Sequence, residues 1–223
     1  MNDVVVTGVG VVSAAGPSLG DLETALRQGR CCASPYATSL PLREVAAIPT
    51  PIAAVDGFVD DRKAWLAMNA LEQALADSNG TGDGVVSVFL GTGLSSVTPA
   101  ELNEDAYPHL TADRTAFDRD SLCSDLRSDR ASPWRHNPIR VTGAVAQRVG
   151  ATGPCGTSFS ACSAAAQAIS EGLRTVRRGE AEVAIVGGHD SMLHPFGLLS
   201  FIVLGALSPT SCRPFDLARD GFL

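Results

Sequence analysis

The fold of this chain is constrained most by a strand-like run that turns into a helix of small residues at Cys162. Apolar residues then recur at spacings of three and four to about Arg178, which predicts an amphipathic helix that Gly179 ends. Upstream, a helix predicted over 61–78 is followed by a β-branched apolar run at 85–90, which is typical of a buried parallel strand. This alternation predicts an α/β domain with helices on the faces of its sheet.

The remaining segments fit a single domain over residues 1–223. Residues 3–12 are predicted to form a buried strand, because the run is apolar and is too short and glycine-broken to cross a bilayer. Residues 95–137 hold prolines and many charges, which indicates an irregular surface lobe. We also predict helices over 19–28 and 139–149 and short strands over 44–48 and 52–55.

Cys162 is the candidate nucleophile. A thiol in the first turn of a helix lies near the positive end of the helix dipole, which favours the thiolate over the thiol. The backbone N–H groups there could also hold the oxyanion that forms when a thiolate attacks a thioester. The helix pattern alone fits a second interpretation equally well, in which Cys162 is a small buried hydrophobe.

The segment Ser-Ala-Cys-Ser-Ala at 160–164 resembles the nucleophile motif of the β-ketoacyl synthases, the thiolase-fold condensing enzymes of fatty acid and polyketide synthesis. Other segments resemble this family in order and spacing: Val-Val-Val-Thr-Gly-Val-Gly-Val-Val-Ser at 4–13, Glu-Val-Ala-Ile-Val-Gly-Gly at 182–188, Ala-Leu-Ser at 206–208, Cys-Arg-Pro-Phe-Asp at 212–216 and Arg-Asp-Gly-Phe at 219–222. The last two are similar to the elongating synthases rather than to thiolases or initiating synthases.

The resemblance implies one half of a thiolase-like fold, with a mixed, mostly parallel five-stranded sheet and helices on both faces. It covers the whole chain but only about half of the family's usual length. The C-terminal half, which supplies two histidines and a second oxyanion donor in the family, is therefore expected to be absent. Phe201 matches an aromatic residue that lines the acyl pocket, and ordinary core packing is the alternative for it. We assign no catalytic role to the histidines, because none of them lies in the sequence context that the family uses for its catalytic histidines. They are His109, His136, His189 and His194.

The activity implied by the resemblance is acyl transfer from a carrier-protein thioester to Cys162, followed by decarboxylative condensation with a malonyl unit. The expected partners are an acyl carrier protein and acyl and malonyl thioesters. Without the histidine half, turnover by this chain alone is doubtful. Two alternatives stay open: a non-catalytic half-synthase that acts as an interaction partner of another condensing enzyme, and a fragment of a full enzyme. The resemblance also implies a homodimer centred near 156–160, or a heterodimer with a synthase-like chain.

The charge balance limits the other partners. A formal net charge of −7 and the lack of a basic stripe argue against nucleic acid. Docking of an acidic carrier protein would need a local basic patch, and two arginine groups are candidates, although a solvated face is the preferred interpretation of both. The first group is Arg174, Arg177 and Arg178, and the second is Arg127, Arg130, Arg135 and Arg140.

The cysteines indicate a reduced, cytoplasmic protein without a metal site. The six residues (Cys31, Cys32, Cys123, Cys155, Cys162 and Cys212) follow no disulfide framework, no signal peptide precedes them, and no histidine stands near them at metal-ligand spacing. A Gly-Val-Gly run at 8–10 lacks the third glycine of a dinucleotide fingerprint, and Gly-Thr-Gly at 91–93 lacks the lysine of a P-loop. We expect no cofactor. Asp216 and Asp220 are interpreted as loop-capping and salt-bridge residues.

Overall fold

The computed structural model describes residues 3–35, 44–46, 62–93, 103–128, 137–193, 195–208 and 212–222. The helices are α1 (Leu19–Arg27), α2 (Arg62–Ser78), α3 (Arg119–Arg127), α4 (Ile139–Arg148), α5 (Ala164–Arg177) and α6 (Pro195–Val203). The strands are β1 (Ala33–Pro35), β2 (Glu44–Ala46), β3 (Val86–Thr92), β4 (Cys155–Phe159) and β5 (Val183–Gly188).

A three-stranded parallel sheet lies at the centre, in the order β4-β3-β5. β3 pairs with β4 from Val88 opposite Cys155, and with β5 from Val86 opposite Val183. β1 and β2 form a separate antiparallel pair. The α/β class with a parallel sheet is therefore confirmed, whereas the main sheet of the described residues has three strands rather than the five expected.

Helices α2 and α4 cover one face of the sheet. Side chains on a strand alternate between faces, so Val88 and Leu90 of β3 point to the same side. They are 0% and 6% exposed and form one apolar cluster with Ala64, Leu71, Val141 and Val145. Full burial of each such aliphatic side chain contributes about 1.5–3 kcal/mol, so this cluster is a main source of stability.

Helix α5 packs on the opposite face, against all three strands. The close approach depends on glycine. A Cβ on Gly91 would collide with the backbone of Ala164, and one on Gly188 would lie 2.6 Å from the Cβ of Ala165. The glycines at the carboxyl ends of β3 and β5 thus let the N-terminus of α5 lie directly on the sheet edge.

The strong sequence patterns are confirmed. The helices predicted over 19–28, 61–78 and 139–149 are α1, α2 and α4. At the start of α1, the hydroxyl of Ser18 accepts a hydrogen bond from the N–H of Asp21 (3.2 Å). Gly179 follows α5 with a positive φ of 74°. The strand predicted over 44–48 is β2, while 52–55 lies outside the described residues.

The predicted lobe at 95–137 is described only over 103–128. There it contains a 3₁₀ turn (Tyr107–His109) and α3, which begins at an Asp118 cap. His109 is 1% exposed, and its Nδ1 lies 2.8 Å from the hydroxyl of Ser121 on α3. This part of the lobe therefore has a small polar interior of its own.

The prediction of a buried strand over 3–12 is wrong. The segment pairs with no strand within the described residues, and Val5 and Val6 are 75% and 82% exposed. Its N–H groups are held by side chains of α2 instead: Val9 donates to Asp77 (3.0 Å) and Val11 donates to Gln73 (3.3 Å). A strand needs a ladder partner as well as apolar residues, and the described residues provide none here.

Candidate active site around Cys162

Cys162 lies in a 3₁₀ turn (Ala161–Ser163) that joins the end of β4 to the start of α5. The carboxyl ends of parallel strands meet at one edge of a sheet, which is where α/β proteins bind their ligands. The thiol is free and exposed at this edge. The interpretation of Cys162 as a small buried hydrophobe is therefore wrong.

The turn that carries the thiol is strained. Ala161 has a φ of 49°, in the left-handed region that a residue with a Cβ adopts at a cost of about 1–2 kcal/mol. Ala161 lies between the end of β4 and Cys162, so the left-handed residue directly precedes the candidate nucleophile. Strain of this kind persists only where surrounding contacts hold it.

The N-terminus of α5 lies directly behind the thiol. The described residues include no side chain that caps this helix. The helix is 14 residues long, so the positive end of its dipole is directed toward the turn. This end of α5 is suited to an anion or a developing oxyanion.

Gln167, one turn into α5, ties the turn to the end of β4. Its Oε1 accepts hydrogen bonds from the hydroxyls of Ser158 and Ser160, both at 2.8 Å. Its Nε2 donates to the hydroxyl of Ser163 at 3.2 Å. Sequence analysis missed this residue; the signal was its spacing of four from Ser163, which places both side chains on one face of the helix.

An ion pair between a buried lysine and a partly exposed aspartate lies at the carboxyl ends of the neighbouring strands. The Nζ of Lys63 is 2.9 Å from Oδ1 of Asp190, and the lysine side chain is only 4% exposed. The N–H of Gly93 donates to the other carboxylate oxygen at 2.9 Å. The pair thus fixes α2, the end of β3 and the chain after β5 to one another. Sequence analysis missed it, because no local pattern relates positions so far apart.

Two of the histidines lie in the described residues, and both are buried. The N–H of His189 donates to the carbonyl of Gly91 at 3.0 Å, directly after β5. His109 lies inside the lobe, 3.7 Å from Asp125. His136 and His194 lie outside the described residues.

Phe201 lies on α6 and packs edge-on against Phe222, with ring centroids 5.1 Å apart. This contact fits the core-packing interpretation. Phe222 is held in turn by a parallel bridge to Leu207. The closing segment therefore packs back onto α6.

The interpretation of the two closing aspartates is confirmed. Asp216 accepts a hydrogen bond from the N–H of Ala218 at 2.7 Å, as a loop cap does. Asp220 accepts from the hydroxyl of Ser208 at 2.7 Å and forms an ion pair with Arg213 at 3.5 Å.

The arginines at the end of α5 are largely neutralised. Arg174 pairs with Glu171 at 2.5 Å, and Arg178 pairs with Glu180 at 2.6 Å. The hydrogen bond from Arg178 lowers the pKa of Glu180 below its usual value. These pairs are about half exposed and fit the solvated face that the sequence favoured. Arg130 and Arg135 of the second group lie outside the described residues.

The described ranges contain no cluster of three histidine, cysteine or acidic side chains that could hold a metal ion. Among the helices described, none combines the length and apolar character needed to span a bilayer.

Comparison with known proteins places this geometry in a family. The family model "Beta-ketoacyl synthase, N-terminal domain" matches residues 60–223. The chain is 29% identical to the putative polyketide beta-ketoacyl synthase 1 of Streptomyces cyaneus, over 99% of this chain and 55% of that protein. It is 27% identical to the 3-oxoacyl-[acyl-carrier-protein] synthase 2 of Synechocystis sp., over 99% of this chain and 54% of that protein.

Solved structures share the fold. A beta-ketoacyl synthase from Burkholderia phymatum STM815 matches with a TM-score of 0.73 and 25% identity, over 99% of this chain and 56% of that one. A ketosynthase of Xenorhabdus doucetiae, solved in complex with its chain length factor, matches with a TM-score of 0.67 and 22% identity, over 97% of this chain and 54% of that one. The chain spans about half the length of the curated relatives it matches. It belongs to the β-ketoacyl synthase family and carries the family's N-terminal domain, a thiolase-like fold.

Proposed function

We propose that this chain provides the acyl-accepting half of a β-ketoacyl synthase of fatty acid or polyketide synthesis, with Cys162 as the nucleophile. One observation carries the proposal. The free thiol of Cys162 is exposed at the carboxyl edge of the parallel sheet, directly before the N-terminus of α5. An exposed thiol at a helix N-terminus meets the main requirement for attack on a thioester.

The first chemical step follows from this geometry. The Cys162 thiolate attacks the carbonyl carbon of a carrier-protein acyl thioester, and the positive end of α5 stabilises the oxyanion. The attack forms the new carbon–sulfur bond, and collapse of the tetrahedral intermediate breaks the old one and restores the carbonyl. The carrier thiolate leaves and takes up a proton. The product is an acyl group on Cys162.

The second step, decarboxylative condensation with a malonyl unit, requires more than this site holds. The family resemblance places two histidines and a second oxyanion donor for it in the C-terminal half. Full turnover is therefore proposed only together with that half. In this scheme Phe201 of α6, whose ring packs against Phe222 of the closing segment, lines the acyl pocket.

The proposed partners are an acyl carrier protein, acyl and malonyl thioesters, and a second synthase-like chain or a copy of this one. β4 is an edge strand of the described sheet, and Phe159 at its end is 53% exposed. An exposed edge strand is a common pairing surface, which supports a dimer centred near 156–160. The six free thiols support a reducing compartment, and we propose the cytoplasm.

A second function is an interaction partner of another condensing enzyme, without turnover. The neighbour from Xenorhabdus doucetiae, a ketosynthase bound to its chain length factor, supports this alternative. Val5 and Val6, which are 75% and 82% exposed, also offer apolar side chains to such a partner.

Intact-mass spectrometry separates the two functions. The chain and its Cys162→Ala variant are incubated with an acyl carrier-protein thioester. Under the main proposal only the unmodified sequence gains the mass of one acyl group, and a Cys155→Ala control gains it as well. If neither the chain nor the control gains mass, the acyl-accepting role fails and the interaction role is favoured.

A further inference from the structure

We infer that Gln167 is a positioning residue for Cys162, whose amide locks the strained turn so that the thiol faces the oxyanion position at the N-terminus of α5. This inference rests on the proposed role of Cys162 as an acyl acceptor. It concerns a side chain five positions beyond the nucleophile that contacts the turn from the helix side.

The hydrogen bonds around Gln167 fix the orientation of its amide. The hydroxyl of Ser163 donates its proton to the carbonyl of Ser160 at 2.9 Å, so it can only accept from Gln167. Nε2 must therefore face Ser163, and Oε1 must face the end of β4. The hydroxyls of Ser158 and Ser160 lie 3.0 Å from each other and 2.8 Å from Oε1, so at least one of their two protons is donated to Oε1.

The network spans the strained residue. Ser158 belongs to β4, Ser160 precedes Ala161, and Ser163 follows Cys162. Gln167 contacts all three serines, so one side chain bridges both ends of the turn that carries the left-handed Ala161. The cost of that conformation must be offset locally, and this amide supplies the contacts.

The consequence for chemistry is orientation rather than exposure. Without Gln167 the turn can relax, and Cys162 stays accessible but loses its fixed direction relative to α5. A reaction that forms an oxyanion depends on that direction, while simple alkylation of the thiol does not. The two kinds of reaction therefore report separately on positioning and on accessibility.

The test measures three reactions at Cys162 by peptide mapping: acylation by the carrier-protein thioester, acylation by p-nitrophenyl acetate, and alkylation by iodoacetamide. Gln167→Leu should slow both acylations about tenfold and change alkylation by less than about twofold. Gln167→Glu keeps an acceptor for Ser158 and Ser160 but loses the donor to Ser163, so it should recover only part of the lost rate. Gln147→Leu, at an exposed position of α4, is the matched control and should leave all three rates unchanged.

The outcomes distinguish this inference from the proposed function. If p-nitrophenyl acetate acylates Cys162 in a Gln167-dependent way but the carrier thioester does not react, the proposed function fails and the positioning role stands. The positioning role is overturned if Cys162 of the Gln167→Leu variant is acylated at the rate of the unmodified chain. It is also overturned if the variant loses acylation and alkylation to the same extent. A Cys162 that p-nitrophenyl acetate does not acylate at all overturns it too. The urea midpoint of Gln167→Leu should stay close to that of the unmodified chain, because relaxation of the strained turn offsets the lost hydrogen bonds of this exposed side chain.

Discussion

β3 and residues 4–12 are similar in sequence and different in structure. Both are short runs rich in valine and interrupted by glycine. In β3, Val86 and Val88 are 3% and 0% exposed, whereas Val5 and Val6 are 75% and 82% exposed. β3 has a strand on each side and helices on both faces, while residues 4–12 are hydrogen-bonded to side chains of α2.

An apolar β-branched run therefore indicates that a segment can form a strand. Whether it does so depends on a partner strand for hydrogen bonding. In residues 4–12 the N–H groups of Val9 and Val11 bond to α2 side chains. The segment therefore satisfies part of its backbone without entering a sheet. Its stability should be local, whereas that of β3 should be global.

The largest expected effect is a buried charge in β3. Val88→Asp places a carboxylate among Leu90 and Val145 in the main core and should destabilise the protein by about 4 kcal/mol or more. Val6→Asp, on the exposed segment, should change stability by less than about 0.5 kcal/mol. Urea unfolding measures both. Equal losses would show that residues 4–12 belong to the cooperative core.

Glycine-to-alanine substitutions, each of which adds one methyl group, test the close contacts of the two regions. A Cβ on Gly91 would collide with the backbone of α5, and Gly91→Ala should cost about 1–3 kcal/mol of global stability. A Cβ on Gly10 would collide with the backbone of α2 at Ala70. Gly10→Ala should therefore displace residues 4–12 and leave the urea midpoint almost unchanged.

Gly187→Ala is the control for these two changes, because no atom lies within 4 Å of a Cβ at Gly187. It should be close to neutral. Amide hydrogen exchange completes the measurement, since Gly10→Ala should raise exchange at residues 4–12 alone. A global rise in exchange in Gly10→Ala would contradict the separation of the two regions.

The smallest expected effect is the loss of one tie between residues 4–12 and α2. Asp77→Ala removes the acceptor for the N–H of Val9, a contact worth about 0.5–1.5 kcal/mol locally. Faster exchange of the Val9 amide is expected, with β3 amides unaffected. Unchanged exchange at Val9 would mean that the hydrogen bond to Asp77 does not hold the segment.

Local patterns were enough to predict α1, α2, α4, α5 and β3, whereas α3 and α6 were not predicted. The apolar face of α2, its stop after Ser78 and the β-branched run of β3 are all properties of neighbouring residues. The candidate nucleophile was also predicted, because its motif is continuous along the chain. The exposure of Cys162 was not predicted, because the sequence pattern was equally compatible with a buried thiol.

Features that depend on tertiary approach were missed. Lys63 and Asp190 meet only after α2 and β5 pack on the same sheet. The contacts of Gln167 depend on the strained turn at Ala161, which no sequence signal marks. The strand prediction for residues 4–12 was wrong for the opposite reason. Their local pattern was clear, but the strand partner that it requires is not among the described residues.

The central claim is that Cys162 accepts an acyl group because of its place in the fold, and site-resolved mass spectrometry tests it most directly. The chain is incubated with an acyl carrier-protein thioester, and each of the six cysteine-containing sites is quantified in one digest. The account predicts acylation of Cys162 with little at Cys155, an equally free and exposed thiol at the opposite end of β4. Equal acylation of the two thiols, or none at Cys162, would contradict it.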